Sequence, residues 1–155
     1  MAEFTHIRNE RAQMVDISAK GDVIREAVAA GKIFLKPDTL NAIRQGSVVK
    51  GNVLSTARVA ATLSVKNTPS LIPMCHSIPV SAITVDFFEG DEFIEATVRV
   101  KSTGKTGVEM EALVGVSIAL LTVWDMVKSA EKDADGQYPF TCIQDIRVVE
   151  KRKGT

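Results

Sequence analysis

The chain has 155 residues, of which 45% are apolar and 25% charged, a composition typical of a single water-soluble globular domain. Its 19 basic and 19 acidic side chains give a formal net charge of zero, which argues against nucleic acid or an anionic membrane as a partner. Two cysteines are too few for a disulfide framework and no signal-peptide pattern opens the sequence, so we expect a cytoplasmic protein.

The first half of the chain is predicted to alternate strands and helices after a polar, flexible segment over residues 1–13. Hydrophobic periodicity and proline and glycine signals define four elements. They are a strand over 14–17, a segment over 24–35 that fits a strand or a helix, a short helix opened by Pro37 and ended by Gly46, and a helix within 51–66 that stops at residues 67–69.

The next segment is stiffened by Pro69, Pro73 and Pro79 and is predicted to be a shaped loop, because proline fixes φ and removes a backbone donor. It carries Cys75 and His76 side by side among apolar residues. Rigidly held loops often carry binding and catalytic groups, so the pair is a candidate site. Taken alone, such a pair is more often a buried thiol and a satisfied histidine.

Strand signals dominate the next part of the chain. Residues 81–88 and 92–101 are rich in β-branched and aromatic side chains and flank a turn at Glu89-Gly90-Asp91, which predicts an antiparallel hairpin. A further strand is predicted over 142–149, followed by a flexible tail over 151–155. Together with the helices, these strands indicate an α+β fold.

A long helix is predicted over residues 108–130. Its 13 uncharged residues, 112–124, are fewer than the roughly 20 needed to cross a bilayer, so it is interpreted as a buried helix. Because it is apolar on nearly every side, it fits packing between layers of one chain and packing between subunits. Gly115 would allow another backbone to approach closely.

The turn before this helix, residues 101–107, resembles half of a phosphate-binding P-loop. A complete motif needs a glycine five positions before Gly104, where Arg99 stands, so a nucleoside-triphosphate hydrolase is disfavoured. Two glycines and two basic side chains at a helix N-terminus fit an anion site, and a flexible strand-to-helix turn explains them about equally well.

Charged residues stand at both ends of the long helix. Asp125 and Lys128 share one face, as in many surface ion pairs, but Asp125 follows the apolar run and is predicted to be partly desolvated, with a pKa open to tuning for proton transfer. Glu111 precedes Asp125 by 14 residues, which is ~21 Å of helix. If both ends serve one small ligand, we expect a site shared by two subunits whose long helices pack antiparallel.

Six blocks of sequence, taken together and in order, resemble the cyclic pyranopterin monophosphate synthase family of molybdenum cofactor biosynthesis. The blocks are Met14–Lys20 with Arg25, Lys50–Val53, Thr56–Arg58, Leu71–His76, Gly104–Leu113 and Trp124–Lys128. The resemblance implies a single ferredoxin-like α+β domain over residues 14–150. It also implies homohexamers, arranged as trimers of dimers, with active sites at subunit interfaces.

The resemblance further implies a lyase that converts a 3′,8-cyclised dihydro-GTP into cyclic pyranopterin monophosphate and diphosphate, with no cofactor and no metal site. It assigns catalysis to Asp125, Lys50 and Lys128. It assigns substrate binding to Met74, Cys75, His76, Met110 and Glu111, with Arg25, Lys20 and Lys105 as candidates for holding phosphate. The tail lacks the Lys-Ser-Gly-Gly stretch common in bacterial members, and Lys132, Lys151 or Lys153 are the candidates to replace its contact.

Two other classes of function fit parts of the pattern. A non-catalytic nucleotide-binding module would use the glycine-rich turn and the lysines without turnover, and a structural oligomer would use the long helix only as an interface. A hydrolase with Cys75 as nucleophile is disfavoured, because its only plausible base, His76, is its immediate neighbour, and adjacent side chains of an extended segment point apart.

Overall fold

The structure, a computed structural model, describes residues 7–8 and 11–154. Its elements in chain order are β1 Ile7–Arg8, β2 Arg11–Ala12, β3 Val23–Phe34, α1 Pro37–Gln45, α2 Val53–Lys66, α3 Thr68–Leu71, β4 Val80–Glu89, β5 Phe93–Gly104, α4 Glu109–Glu131 and β6 Cys142–Lys153. Most of the segment 1–13, expected to be flexible, lies outside these residues, and its described part forms the small β1–β2 pair.

The main sheet has four antiparallel strands in the order β4-β5-β3-β6. Strand β3 lies at the centre and pairs along its whole length with β5, from Val23 opposite Gly104 to Phe34 opposite Phe93. Strands β3, β4, β5 and β6 alternate with helices as β-α-β-β-α-β, which is the ferredoxin-like arrangement. The predicted α+β fold is therefore confirmed, and the segment that fitted a strand or a helix is the central strand.

Helix α4 is the core helix of the domain and packs against the sheet and against α2. It is long and apolar enough to cross a membrane, but 56% of an apolar 18-residue stretch of it is buried within the chain. A Cβ atom at Gly115 would lie 2.9 Å from Val65 of α2 and 3.0 Å from Val98 of β5. Glycine at this position therefore lets side chains of α2 and β5 pack directly against the backbone of α4, whereas the sequence predicted the close approach of another backbone.

The predicted strand over residues 14–17 is wrong, because this segment has no regular secondary structure. Side chains hold its backbone instead of a neighbouring strand. The Val15 carbonyl lies 2.7 Å from His76 Nε2, and Asp16 Oδ1 accepts a hydrogen bond from the Ser18 amide at 2.9 Å. A four-residue segment with three apolar side chains does not form a strand unless a partner strand is available.

The prediction of a flexible tail over residues 151–155 is also corrected, because the first three of these residues belong to a strand. Strand β6 continues to Lys153, with Lys151, Arg152 and Lys153 opposite Ala27, Glu26 and Arg25 of β3. The prediction rested on polar side chains, but β6 is an edge strand with one exposed side and is held by backbone hydrogen bonds that do not depend on side-chain polarity.

The proline-rich segment begins with a short helix instead of a loop. Helix α3 covers Thr68–Leu71, and Pro69 lies in its first turn, where the missing amide donor would have no helical partner. The residues that follow, including Cys75 and His76, form the predicted loop.

Candidate functional site

The end of α4 nearest its C-terminus brings Asp125, Lys50 and Lys128 together. Lys128 Nζ lies 3.0 Å from Asp125 Oδ1, and Lys50 Nζ lies 3.0 Å from Asp125 Oδ2 and 2.9 Å from the Asp125 carbonyl oxygen. Each carboxylate oxygen thus accepts a hydrogen bond from a different ammonium group. The three residues assigned to catalysis by resemblance form one constellation, which we call the Asp125 triad.

The Asp125 triad is open to solvent. The Asp125 side chain is 59% exposed, so the predicted partial desolvation of this carboxylate is wrong. Hydrogen bonds from Lys128 and then Lys50 lower the pKa of Asp125 below its ordinary value of 3.8, and the hydrogen bond to Asp125 raises the pKa of Lys128. At neutral pH the triad is therefore one anion between two cations.

Lys50 reaches Asp125 from the connection between α1 and α2. Gly46 ends α1 in the left-handed region, at φ 66°, which favours glycine, and a second turn is closed by the Gly51 amide donating to the Val48 carbonyl at 3.0 Å. Asn52 then caps α2 by accepting a hydrogen bond from the Ser55 amide at 2.9 Å. Lys50 is thus carried by a short loop that is fixed at both of its ends.

The other end of α4 borders a cavity of about 390 Å³. Residues from the proline-rich loop and from the glycine-rich turn line it together with the first turn of the helix. The lining residues are Ile72, Met74, Cys75, His76, Thr106, Gly107, Glu109, Met110 and Glu111. The structure therefore brings together the five residues expected to bind substrate, and we call this the Glu111 cavity.

Glu111 is the buried acid of this cavity, with only 3% of its surface exposed. Burial, followed by the nearby charge of Glu109, raises the pKa of Glu111 above its ordinary value of 4.5, against the opposing effect of a backbone hydrogen bond. Burial and the negative charge of Glu111 raise the pKa of the Cys75 thiol. Cys75 is therefore a weak nucleophile at neutral pH, which agrees with the argument against a cysteine hydrolase.

Two of the residues expected to bind substrate, His76 and Lys105, hold the segment over residues 15–20 near the cavity. The Val15 carbonyl can only accept, so its 2.7 Å contact with His76 Nε2 places a proton on that nitrogen. Lys105 Nζ donates to the Ser18 carbonyl at 3.1 Å, and a turn closed by the Lys20 amide and the Ile17 carbonyl follows. Lys20 is therefore two residues from the carbonyl group that Lys105 contacts.

Arg25 lies at the start of β3 near the same end of α4. Its Nε is buried and has no hydrogen-bond partner among the residues that the structure describes. Lys151 forms an ion pair with Glu109 in the first turn of α4. Burial, the largest single effect, opposes ionisation of Glu109, but the hydrogen bond from Lys151, a backbone hydrogen bond and the charges of Lys151 and Arg25 together lower the pKa of Glu109. Lys151 is thus the lysine of the C-terminal segment that reaches this end of the helix.

The structure does not bring the Glu111 cavity and the Asp125 triad together within one chain. They lie at opposite ends of α4, 14 residues or ~21 Å apart. Within residues 7–8 and 11–154, no group of three or more His, Cys, Asp or Glu side chains is arranged to hold a metal ion. The titratable groups at both ends are suited to proton transfer and to binding of anions.

Glu131, the last residue of α4, is a buried acid that the sequence did not indicate. It is fully buried, and hydroxyl groups of Thr39 and Thr141 donate to its carboxylate. A glutamate next to a lysine at a helix end is usually exposed, so the local sequence carries no signal of this burial. Only the distant partners reveal it.

Comparisons with a family model and with individual proteins agree on one family. The sequence model of the MoaC family matches residues 14–154. A probable cyclic pyranopterin monophosphate synthase of Methanoregula boonei is 77% identical over 154 residues, covering 99% of each chain. Proteins with the same name are 69% identical in Methanospirillum hungatei, covering 99% of this chain and 98% of that one, and 55% identical in Thermococcus kodakarensis, covering 99% of each.

Proposed function

The chain belongs to the MoaC family, and from this premise we propose that it is a cyclic pyranopterin monophosphate synthase, a lyase of molybdenum cofactor biosynthesis. The observation that carries the proposal for the site is the Asp125 triad, in which one ionised carboxylate is held between two ammonium groups at 3.0 Å. The proposed substrate is a dihydro-GTP cyclised between ribose C3′ and guanine C8. The family match and the two free cysteines of the described chain support a cytoplasmic enzyme.

The proposed reaction needs acids, bases and cations. Water opens the guanine-derived ring, which closes again as a pyranopterin with several proton transfers. In the phosphate step, a hydroxyl oxygen of the sugar forms a bond to the α-phosphorus. The bond from that phosphorus to the bridging oxygen breaks, so diphosphate leaves and the hydroxyl proton passes to a base.

The Asp125 triad supplies groups for both parts of this chemistry. Because the pKa of Asp125 is lowered, its carboxylate is ionised at neutral pH and can accept a proton. Lys128, whose pKa is raised, remains cationic and can stabilise negative charge on phosphate oxygens or on a ring intermediate. Lys50, hydrogen-bonded to the same carboxylate, is the second cation and a proton donor.

The Glu111 cavity is proposed to hold the guanine-derived ring. Glu111 is a buried carboxyl group whose raised pKa lets it share a proton with ring nitrogens, and Met110 and Met74 offer apolar contact. Cys75 and His76 complete the proposed contacts with the substrate.

Cations near the cavity are proposed to hold the phosphate groups. Arg25 has a buried nitrogen without a partner among the described residues, Lys105 donates to the Ser18 carbonyl, and Lys20 ends the segment over residues 15–20. Lys151 is the proposed replacement for the missing tail contact, because it already reaches Glu109 beside the cavity.

We propose that the two ends of α4 meet across a subunit interface. An exposed or half-buried face of α4 connects them, because residues three or four apart on a helix share a face. Its members, in order, are Met110, Val114, Ser117, Leu121, Asp125 and Lys128. Leu121, at the middle of this face, is 53% exposed. If α4 of a second copy packed antiparallel on this face, it would cover Leu121 of the first copy. Met110 of the second copy would then lie near Asp125 of the first copy. The resemblance extends this pairing to a hexamer built as a trimer of dimers.

Turnover of the cyclised dihydro-GTP tests the assigned activity. The purified protein should release diphosphate and form a product that fluoresces as a pterin after oxidation. The variants Asp125→Asn and Lys50→Ala should lose turnover, and Asp86→Asn, which changes an exposed aspartate of β4, should not. Binding of the substrate without turnover would instead indicate a nucleotide-binding module, and the absence of any binding would indicate a structural oligomer.

Mixing of variants tests the shared site. Glu111→Ala and Asp125→Asn disable opposite ends of α4, so a randomly mixed dimer population should recover about a quarter of the wild-type activity, since half of the dimers are mixed and each has one intact site. As a control, Asp125→Asn mixed with Lys50→Ala should recover no activity. Both residues belong to the Asp125 triad of their own subunit, so every subunit of a mixed dimer has a damaged triad. An active monomer, or no recovery from the first mixture, would reject the shared site.

A further inference from the structure

The carboxylate of Glu131 joins three distant parts of the chain at the end of α4. Thr39 Oγ1 donates to Oε2 at 2.5 Å, Thr141 Oγ1 donates to Oε1 at 2.8 Å, and the Lys36 amide donates to both oxygens at 3.1 and 3.3 Å. The Glu131 side chain is fully buried, and both threonines are at most 5% exposed. We call these four residues the Glu131 cluster.

The Glu131 cluster fixes the N-terminus of α1 to the C-terminus of α4. Lys36 is the residue that precedes α1, and Thr39 lies in its first turn. The Lys36 ammonium adds a second link by donating to the Ala130 carbonyl at 3.3 Å. A buried carboxylate that loses one of these donors loses a hydrogen bond to a charged group in a site closed to solvent, so each hydrogen bond restricts the position of the segment that supplies it.

Apolar packing alone does not set the distance between α1 and α4. A cavity of about 170 Å³ lies between them, lined by residues of α1, of the loop that follows it and of the last turns of α4. Thr39 and Lys50 both line this cavity, together with Met126 and Val127. Leu40 packs α1 against the core, and the polar contacts at the borders of the cavity act together with this packing to fix where α1 and the loop with Lys50 lie.

We propose that Glu131 is a positioning residue, which holds α1 through Thr39 and thereby keeps Lys50 at hydrogen-bond distance from Asp125. The role of Glu131 in catalysis rests on the proposed function, because it acts only through the Asp125 triad. Thr39 and Thr141 make the same kind of hydrogen bond to the same carboxylate, but Thr39 belongs to α1 and Thr141 precedes β6. Only the first of them lies on the path to Lys50.

This difference supplies a matched pair of variants. Thr39→Val and Thr141→Val each remove one buried hydroxyl without changing side-chain size, so both should lower the melting temperature. Thr39→Val should also lower kcat by about 10- to 100-fold with KM within twofold of wild type, because a small displacement of a catalytic group is enough to slow turnover. Thr141→Val should retain kcat within about twofold, because β6 does not carry Lys50.

Amide hydrogen exchange measures positioning without turnover. Peptides covering residues 46–51 should exchange faster in Thr39→Val than in Thr141→Val or wild type, and Thr39→Ser, which keeps the hydroxyl, should restore both exchange and kcat. Equal loss of kcat in the two valine variants, or unchanged exchange of the loop in Thr39→Val, would overturn the role of Glu131. If the wild-type protein has no turnover, the proposed function fails, and the exchange result alone then decides whether Glu131 positions the loop.

Discussion

The two ends of α4 show opposite ways of setting the pKa of a carboxyl group. At the N-terminal end, Glu111 is 3% exposed and its pKa is raised, chiefly by burial. At the C-terminal end, Asp125 has a side chain that is 59% exposed, and hydrogen bonds from Lys128 and Lys50 lower its pKa. One helix thus carries an acid whose pKa is shifted upward and an acid whose pKa is shifted downward.

The difference teaches that these groups suit complementary tasks. A carboxyl group with a raised pKa binds a proton more readily and can exchange it with a ring nitrogen, and an ionised carboxylate between cations can take a proton from an attacking hydroxyl. Within one subunit the ends are ~21 Å apart, so the contrast is useful to one substrate only if a second copy completes the site.

The largest expected effect comes from Glu111→Gln. If the proton of Glu111 takes part in turnover, kcat/KM should fall by about 10²- to 10⁴-fold, because a glutamine amide cannot act as a general acid or base near neutral pH. The measurement is steady-state diphosphate release, with Glu95→Gln on the half-buried side of β5 as the control. Full activity of Glu111→Gln would break the comparison, because burial of the acid would then have no catalytic role.

An intermediate effect is expected on stability. Because the pKa of Glu111 is raised in the folded state, the folded protein binds more protons than the unfolded chain as the pH rises from 4.5, and stability falls through the folded-state pKa. Glu111→Gln should remove this fall, so its free energy of unfolding in urea should vary less between pH 4.5 and neutrality. An unchanged pH dependence would show that another group is responsible.

The smallest expected effect is on the titration of Asp125. Removing the ammonium in Lys128→Met should raise the pKa of Asp125 towards 3.8, since the Lys128 hydrogen bond is the first cause of its lowering. Salt at 1 M, where the screening length is about 3 Å, should act in the same direction on this exposed carboxylate and much less on buried Glu111. Carbon-13 NMR of the two carboxyl groups measures both effects. Equal responses of Asp125 and Glu111 to salt would remove the contrast.

Much of the fold could be predicted because its signals are local. The bounds of α1 followed from Pro37 and Gly46, and the β4–β5 hairpin followed from its turn residues. The predicted strand over 14–17 failed because that segment is held by side chains distant in sequence. The predicted partial desolvation of Asp125 also failed, because the apolar residues before it do not indicate which face of this helix end is covered.

The residues of the candidate site were found in the sequence, but their electrostatic environment was not. The pairing of Lys50 with Asp125 joins residues 75 positions apart, and the burial of Glu131 depends on partners 92 and 95 positions away. Neither relation leaves a periodic pattern in the chain. Such contacts become visible only when α1, α2 and α4 have been placed around one sheet.

The place of β3 in the sheet has a consequence for how the chain is made. This strand is synthesised early, but its two neighbours, β5 and β6, end at Gly104 and Lys153. During translation the edge that pairs with β5 therefore stays open until Gly104 has been added, and the edge that pairs with β6 until Lys153 has been added. Such unpaired edges invite pairing with other nascent chains. Folding dominated by these non-local pairings is expected to be slow. Strand β6 is the last strand of the sheet to be synthesised, and a protein cut before residue 142 would expose one edge of β3 permanently.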